Sequence, residues 1–350
     1  MPRVWDVPVD DPARVRDARA AAERAAALAG LAGQRAEAAA LVATELATNL
    51  LRHADGGRVL IELVAPPVLP DGPAPLRMVQ IAAIDHGPGI ADVSGALRDG
   101  FSTTGSLGAG LGTCRRLADD FDLHSAVGRG TVALARIGDG AAGTGRAAGV
   151  RAGAVNVPFA GAEYSGDAWA WVRAGDRLTL MLADGLGHGP AAARASTAAV
   201  QALHRSADRT PGEMLRRLDE ALTGTRGAAV ALAQVDVRAA RLRFAGVGDV
   251  GARLCEDGAW RPLLSRPGIV GVHRHASCQE EEAEWTAGST LILHSDGLPS
   301  RWTPPSDARP SGRDPGVTAA VTLRDAGTPG RPVRDDTTVA VLTPTPPDRP

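Results

Sequence analysis

Lysine is absent from this 350-residue sequence, so all 38 of its basic residues are arginine. A P-loop lysine, a protein-kinase strand lysine and a lysine Schiff base all depend on that side chain. These three chemistries are therefore excluded, and any nucleotide chemistry must rest on a different fold.

Cysteine, long apolar runs and net charge are also scarce. Cys114, Cys255 and Cys278 are scattered and odd in number, which predicts buried or free thiols and no disulfide framework. No apolar run reaches the roughly 18 residues of a membrane span, and the acidic N-terminus lacks a secretory pattern. A net charge of -2 gives no electrostatic footprint for nucleic acid or an anionic membrane. We expect a cytoplasmic protein that binds neither nucleic acid nor a membrane. A length of 350 residues allows two domains.

Two aspartate-glycine pairs each follow a short apolar run. Asp184-Gly185 follows residues 178–182, and Asp296-Gly297 follows residues 291–293. Each pattern predicts a strand that ends in a tight turn, so the strand determines where the aspartate lies. A single pair of this kind more often only turns the chain.

Two further acidic positions have similar surroundings. Asp167 precedes an apolar segment, and Asp335 and Asp336 lead into the apolar residues 339–342. Carboxylates at strand ends, together with an accessible glycine carbonyl, suit a hard divalent cation such as Mg²⁺ or Mn²⁺. The four acidic strand ends therefore predict one binuclear metal centre.

The succession SGDAW, ADGLGHG, SDGL and DDTT covers nearly all of residues 151–342 and resembles the SpoIIE-like branch of the metal-dependent PPM-type serine/threonine phosphatases. The resemblance implies two Mn²⁺ or Mg²⁺ ions and a catalytic Asp184 that bridges them. The remaining ligands that it implies are Asp167, the Gly185 carbonyl, Asp296 and Asp335, with Asp336 as the alternative to Asp335.

Two residues near these motifs have uncertain roles. His188 is either a nearby acid or hydrogen-bond donor, or a turn histidine with no catalytic part. Asp249 stands where members of the family more often carry asparagine, and it either alters metal affinity or belongs to an ordinary turn.

The first half of the chain carries a different pattern. Helices are predicted over 11–31, which is rich in alanine and arginine, and over 34–53. In the second helix Glu45 and Asn49 are four residues apart and therefore share one face. The intervening leucines can pack into a core while the two polar side chains face a pocket. On its own, such a pair is more often an ordinary solvated face.

Two predicted strands, 59–64 and 79–84, follow, and the second leads directly into Asp85-His86-Gly87-Pro88-Gly89-Ile90. A glycine-rich loop at 105–112 then opens a predicted helix that runs through Asp119. Its glycines allow backbone N–H groups to approach phosphates closely. A Rossmann site is the weaker interpretation, because no strand immediately precedes the loop.

The ordered set ELATN, DHGPGI and GSLGAGLG resembles the GHKL (Bergerat-fold) ATPases, in particular the small serine kinases that regulate anti-sigma and stressosome circuits. The resemblance covers approximately residues 4–137 and implies that ATP and Mg²⁺ bind there. Glu45 would be the general base, Asn49 the Mg²⁺ ligand and Asp85 the acceptor for the adenine amino group. The glycines assigned to this site are Gly87 and Gly89 around the adenine, and Gly108, Gly110 and Gly112 around the phosphates.

We therefore expect a two-domain α+β protein. Residues 1–137 would form a Bergerat-type α/β sandwich with a mixed sheet and helices on one face. Residues 151–342 would form the αββα sandwich of the PPM phosphatases. The glycine- and alanine-rich residues 138–150 are the predicted linker, and residues 343–350 the predicted disordered tail.

Together, the resemblances imply a phosphatase that acts on phosphorylated STAS-domain proteins in a bacterial sigma-factor or stress-signalling circuit. Three alternatives stay open: a bifunctional kinase and phosphatase, a phosphatase with an ATP-responsive binding module, and a switch scaffold without turnover. The intact acidic set argues against the scaffold. The sequence does not indicate the oligomeric state.

Overall fold

The computed structural model describes residues 3–69, 77–97, 110–139, 146–147, 149–272, 279–305, 312–327 and 334–346. The chain divides into two compact units. The N-terminal unit comprises Val4–Ala65 and Leu76–Thr144, and the C-terminal unit comprises Met1–Arg3, Pro66–Pro75 and Gly145–Pro350. None of the helices in the described ranges combines the length and the apolar character that a membrane span requires.

The N-terminal unit is one antiparallel sheet with helices on one face. Its elements are β1 (Val4–Val9), α1 (Pro12–Ala29), α2 (Gln34–His53), β2 (Gly57–Val64), β3 (Met78–Ile84), α3 (Val93–Ala96), α4 (Gly110–Leu117), β4 (Asp120–Ala126) and β5 (Gly130–Ile137). The five strands lie in the order β1-β2-β3-β5-β4. Every pairing is antiparallel, where a mixed sheet was expected, because each strand pairs through a hairpin or a return connection without a parallel crossover.

The two long helices lie in the predicted segments, and α1 contains the signals that start and stop a helix. Asp11 caps α1 by accepting a hydrogen bond from the Ala13 N–H, and Gly30 ends it in the left-handed conformation. Small buried alanines on α1 allow close packing against α2 and the sheet. Leu46 of α2 is fully buried in this core, which places Glu45 and Asn49 at its margin.

The C-terminal unit is an αββα sandwich. Its elements are β6 (Arg146–Ala147), β7 (Val150–Val157), β8 (Asp167–Ala174), β9 (Arg177–Gly185), α5 (Pro190–His204), α6 (Pro211–Leu222), β10 (Ala228–Asp236), β11 (Arg241–Val247), β12 (Gly251–Glu256), β13 (Ala259–Leu263), β14 (Glu281–Glu284), β15 (Thr290–His294), α7 (Pro315–Ala326) and β16 (Thr337–Pro344). One sheet has the order β14-β11-β10-β9-β8, and the other β13-β12-β15-β16-β7-β6.

Each sheet of this sandwich has one helical layer. Helices α5 and α6 pack on the five-stranded sheet, and α7 packs on β7 and β16 of the six-stranded sheet. The apolar side chains between the sheets form the central core. Val68, from the segment that groups with this unit, extends the first sheet by one residue, since its N–H bonds to Trp171 and its carbonyl accepts from Arg173. The predicted two-domain α+β class is confirmed.

The structure corrects two boundaries. The tail was predicted from residue 343, but β16 continues through Thr343 and Pro344, which pair with β7. Thr343 is fully buried there, so the apolar pattern ends before the strand does. Within the predicted linker, Arg146–Ala147 already pairs with β7. Cys114 and Cys255 are buried free thiols, as predicted, and Cys278 lies outside the described residues.

Candidate metal centre and nucleotide site

Antiparallel register places two of the predicted metal ligands opposite each other. Asp167 is the first residue of β8, Asp184 is the next-to-last residue of β9, and the two are direct partners across the ladder. Both carboxylates therefore lie at one end of the five-stranded sheet. The sequence separates them by a whole hairpin, and the register alone brings them together.

The second sheet also contributes acidic residues at the ends of its strands. Asp296 follows the end of β15, and Asp335 and Asp336 precede the start of β16. Because these strands pair in antiparallel fashion, the end of one adjoins the beginning of the other. The three carboxylates thus occupy a single edge of the six-stranded sheet.

Hydrogen bonds join the two edges. The Ser295 hydroxyl donates to Asp167 Oδ2 across 2.7 Å. Asp336 accepts from the backbone N–H groups of Phe159 and Gly166, each at 2.8 Å. Both carboxylate oxygens of Asp336 therefore accept hydrogen bonds from neighbouring loops, whereas the Asp335 carboxylate accepts, within the described residues, only the N–H of Asp336, at 2.8 Å. This difference favours Asp335 as the ligand and Asp336 as its structural neighbour.

The assembled carboxylates raise one another's pKa. Burial, followed by repulsion from Asp167, Asp296, Asp335 and Asp336, raises the pKa of Asp184 to about 10. Burial also raises the pKa of Asp167 to about 7, against the lowering effect of the Ser295 hydrogen bond. Negative charge is thus concentrated where it is poorly solvated, and a bound cation would relieve it.

The outer carboxylates follow the same trend. Burial raises the pKa of Asp296, and repulsion from Asp335 and then from Asp249 adds to that rise. The pKa of Asp336 is raised mainly by burial, while its backbone hydrogen bonds oppose the shift. Asp249, where the family more often has asparagine, is exposed and therefore adds a negative charge close enough to Asp296 to affect its pKa.

The donor set fits a divalent cation. Asp167 is fully buried, yet its Oδ1 completes no hydrogen bond within the described residues, although the Thr338 hydroxyl lies near enough to favour the ionised form. Within those residues, no three acidic, histidine or cysteine side chains are already placed to hold a metal ion, so the carboxylates would have to approach one another to bind one. Mg²⁺ requires few protein carboxylates, because it keeps several of its waters.

Gly185 and His188 lie on the turn that follows β9. A Cβ on Gly185 would lie 2.3 Å from the Ala192 carbonyl oxygen, so only glycine allows α5 to pack this closely on the turn. His188 is exposed, and its ring lies 5.4 Å from that of Phe159. Among the described residues His188 has no acidic partner, and both of its interpretations stay open.

In the N-terminal unit, the predicted base and magnesium ligand share one face of α2. Glu45 and Asn49 are both partly exposed, and Asn49 Nδ2 is a buried atom without a hydrogen-bond partner in the described residues. Helix α4 faces them: burial and then the Glu45 charge raise the pKa of Cys114 to about 12. A Cβ on Gly110 would lie 3.5 Å from Asn49 Oδ1.

Asp85 lies at the end of β3 and is 7% exposed. Its Oδ1 accepts from the N–H groups of Gly87 at 2.8 Å and Thr131 at 3.0 Å. A Cβ on Gly130, whose φ is +94°, would lie 2.1 Å from the Asp85 carbonyl oxygen. The turn between β4 and β5 therefore closes directly over Asp85.

The predicted nucleotide glycines are distributed around these residues. A Cβ on Gly87 would lie 2.7 Å from Ala54, and one on Gly89 would lie 2.3 Å from the Ala126 carbonyl oxygen. Both glycines therefore allow the DHGPGI segment to pass close to neighbouring backbone. Gly110 and Gly112 belong to the first turn of α4. Gly108 lies outside the described residues.

Sequence reasoning missed the polar residues that support the acidic ones. Ser295 and Asn156 hold Asp167 through its side chain and its carbonyl, and Thr131 holds Asp85. Ser295 adjoins a predicted ligand and could have been suspected. Asn156 and Thr131 had no such signal, because each contacts a residue that is distant in the sequence: Asn156 bonds to a strand of the other sheet, and Thr131 bonds to the residue that follows β3.

Comparisons with known proteins support both family resemblances. Residues 174–344 match the family model described as Stage II sporulation protein E (SpoIIE), and residues 9–137 match that of the histidine kinase-like ATPase domain. Over 88 residues, or 25% of this chain, the sequence is 44% identical to the serine/threonine-protein kinase RsbT of Bacillus subtilis (strain 168). The chain spans 61% of the length of that relative.

Solved structures give partial likenesses. RsbX in complex with magnesium has 20% identity and a TM-score of 0.48, covering 57% of this chain and 98% of that one. The RsbU and RsbW domains of Rv1364c from Mycobacterium tuberculosis have 21% identity and a TM-score of 0.49, covering 57% of this chain and 63% of that one. With both family matches, the chain combines a histidine kinase-like ATPase domain at residues 9–137 with a SpoIIE-family PPM phosphatase domain at residues 174–344.

Proposed function

We propose that this chain is a metal-dependent protein serine/threonine phosphatase that acts on a phosphorylated STAS-type regulator in a bacterial sigma-factor or stress-signalling circuit. The observation that carries the proposal is that Asp184 faces Asp167 across the β8–β9 ladder, and that burial, followed by repulsion from Asp167 and Asp296, raises the pKa of Asp184 to about 10. Such a site favours divalent cations over the apolar or neutral ligands of a binding module.

Asp167, Asp184, the Gly185 carbonyl, Asp296 and Asp335 would hold two Mn²⁺ or Mg²⁺ ions. Bound there, the ions would lower the pKa of a water and neutralise charge that develops on the phosphoryl group. The chain orients its own carboxylates for this task, since Ser295 and the β8–β9 register hold Asp167 and Asp184 in place. No protein nucleophile is required.

The ATPase domain would bind Mg-ATP, with Asn49 as the metal ligand, Asp85 at the adenine and the neighbouring glycines around the nucleotide. The identity with RsbT, which is named a serine/threonine-protein kinase, supports phosphoryl transfer to serine or threonine. Glu45 would then be the general base that accepts the substrate hydroxyl proton. The alternative is a domain that binds ATP and the partner protein without transferring phosphate. Under either alternative the protein would act in the cytoplasm, where ATP is available.

The direct test is phosphate release from phosphorylated STAS-domain proteins in the presence of Mn²⁺ or Mg²⁺. Asp184→Asn should reduce the rate by at least about 100-fold, because the variant removes ligand charge and leaves the packing intact. Asp236→Asn is the matched control. That carboxylate ends β10 at the opposite end of the same sheet and accepts the Ala239 N–H at 2.9 Å, a bond that asparagine retains.

The control variant should keep wild-type activity, and the wild type should lose activity in a chelator. Undiminished release in the chelator, or from Asp184→Asn, would contradict the proposal.

A further inference from the structure

Ser295 lies between the end of β15 and Asp296, and it is fully buried. Its hydroxyl donates to Asp167 Oδ2 at 2.7 Å, and its Oγ accepts the Thr338 N–H at 2.8 Å. A backbone N–H can only donate, so this second bond leaves the serine proton free to point at the carboxylate. The direction of the Ser295–Asp167 bond is therefore determined by its surroundings.

The backbone on either side of this bond is also held. The Ser295 N–H donates to the Thr338 carbonyl at 3.1 Å, which continues the β15–β16 ladder by one residue. On the other side, the Asp167 N–H donates to Ser165 Oγ at 3.1 Å, and Asn156 Nδ2 donates to the Asp167 carbonyl at 3.1 Å. The hydroxyl thus joins two rigid strands, one from each sheet of the sandwich.

A second layer lies behind Ser295. Trp302 Nε1 donates to His294 Nε2 at 3.2 Å, and since an indole N–H cannot accept, the proton of the neutral imidazole is on Nδ1. His294 Nδ1 then donates to the Ser295 carbonyl at 3.0 Å. The two rings meet edge to face at 5.0 Å, and a Cβ on Gly251 would lie 2.1 Å from Nε2, so glycine makes room for the imidazole.

The result for Asp167 is an asymmetric carboxylate. Its Oδ2 is held by Ser295, while its Oδ1 is buried and completes no hydrogen bond within the described residues. A buried carboxylate oxygen without a partner is costly unless a cation or water occupies the position that it faces. Rotation of the carboxylate would break the Ser295 bond, so the bond determines which oxygen is available.

We infer that Ser295 is a positioning residue that holds Oδ2 of Asp167 so that Oδ1 is presented to a divalent cation, with His294 and Trp302 fixing Ser295 from behind. The inference rests on the proposed function. Ser295 itself touches neither substrate nor reacting atoms. Residues that orient metal ligands in this way commonly change metal affinity by 10–100-fold when they are removed.

The test is a calorimetric titration of the full chain with Mn²⁺ in the absence of any substrate, for wild type, Ser295→Ala and Ser295→Cys. The alanine variant should bind Mn²⁺ roughly 10–100-fold more weakly. The cysteine variant should lie between the two, because a thiol is a weak donor of similar size. If the alanine variant does not fold, the comparison of cysteine with serine decides the question.

Ser289→Ala provides the matched control for a merely structural effect. Ser289 is buried at the start of β15 and accepts the Thr286 N–H at 2.9 Å, so its replacement also removes a side-chain bond from this sheet. It should lower the unfolding temperature while leaving Mn²⁺ affinity at the wild-type value. Equal affinity in the wild type and the Ser295 variants, or an equal loss in Ser289→Ala, would overturn the inference.

The titration separates this inference from the proposed function. A wild-type protein that binds Mn²⁺ tightly, loses affinity in Ser295→Ala and yet releases no phosphate would support the positioning role and overturn the phosphatase proposal. A protein that releases phosphate while Ser295→Ala binds Mn²⁺ as well as wild type would do the reverse.

Discussion

At the scale of single residues, Asp167 and Asp184 make stability depend on pH in an unusual direction. Their pKa values are raised from 3.8 to about 7 and about 10, chiefly by burial. Between pH 4 and those values the native state holds protons that the unfolded state has released. Rising pH therefore favours unfolding, and the stability that these protons provide is lost as pH passes through the folded pKa values.

We predict that the metal-free protein unfolds at a lower temperature at pH 8 than at pH 5.5, and that saturating Mn²⁺ abolishes or reverses this trend, because the cation binds the ionised carboxylates. Thermal unfolding with chelator and with Mn²⁺ measures the effect. Asp184→Asn should flatten the metal-free profile. A wild-type profile that is level or rises with pH would refute the explanation.

Asp85 allows a second prediction at this scale. Asp85→Asn should weaken Mg-ATP binding by about 1.5–3 kcal/mol, because the adenine amino group loses a charged acceptor. The fold should persist, since an asparagine carbonyl can still accept the Gly87 and Thr131 N–H groups. Calorimetry on the full chain measures the affinity. Asp11→Asn, which keeps a good cap on α1, should bind ATP as wild type does; equal affinity in all three proteins would refute the assignment.

At the scale of secondary structure elements, the end of β16 allows a direct test. Thr343 and Pro344 pair with Arg151 and Val150, and the Thr345 N–H donates to Gly149 at 3.0 Å. A chain that ends after Leu342 loses these bonds in the interior of a six-stranded sheet. We expect a loss of about 2 kcal/mol, at roughly 0.5–1.5 kcal/mol for each hydrogen bond.

Denaturant unfolding of that truncated chain should show a lower midpoint than a chain ending after Pro346, which keeps all of these contacts. Identical midpoints would mean that this extension of the strand contributes nothing. The phosphate-release rate of each protein, measured well below its midpoint, reports whether the metal site depends on this end of the strand.

At the scale of the whole molecule, one chain joins a phosphatase-family domain to an ATPase-family domain, and under the bifunctional form of the proposal the two would act in opposite directions on serine or threonine. A shared regulator is the economical hypothesis, because tethering raises the effective concentration of a partner at the second site. In the Asp184→Asn background, which should remove phosphate at least about 100-fold more slowly, radiolabelled ATP should mark a STAS-type partner. Adding Glu45→Ala should abolish the label, because the general base is lost.

Glu37→Ala on the same helix is the matched control for the second substitution, since Glu37 lies in the first turn of α2, well before Glu45. That double variant should label the partner as the single variant does. If Asp184→Asn binds the partner but never labels it, the kinase function is wrong and the binding-module alternative remains.

The sequence by itself determined the elements and their chemistry. Helical spacing of apolar residues predicted the extent of α2, and the Asp-Gly signals identified the ends of β9 and β15. These features are local: they depend on φ and ψ preferences and on which face of an element is apolar. Motif order then sufficed to recognise both domain families.

Only the tertiary structure decided which groups meet. Three such contacts join residues from different elements: Asp167 pairs with Asp184, the Ser295 hydroxyl donates to Asp167, and the Thr131 N–H donates to Asp85. The continuation of β16 past Leu342 is of the same kind, because partners in β7 hold Thr343 and Pro344 in the strand. Strand register and sheet packing produce these contacts, and neither leaves a periodic signal in the residues concerned.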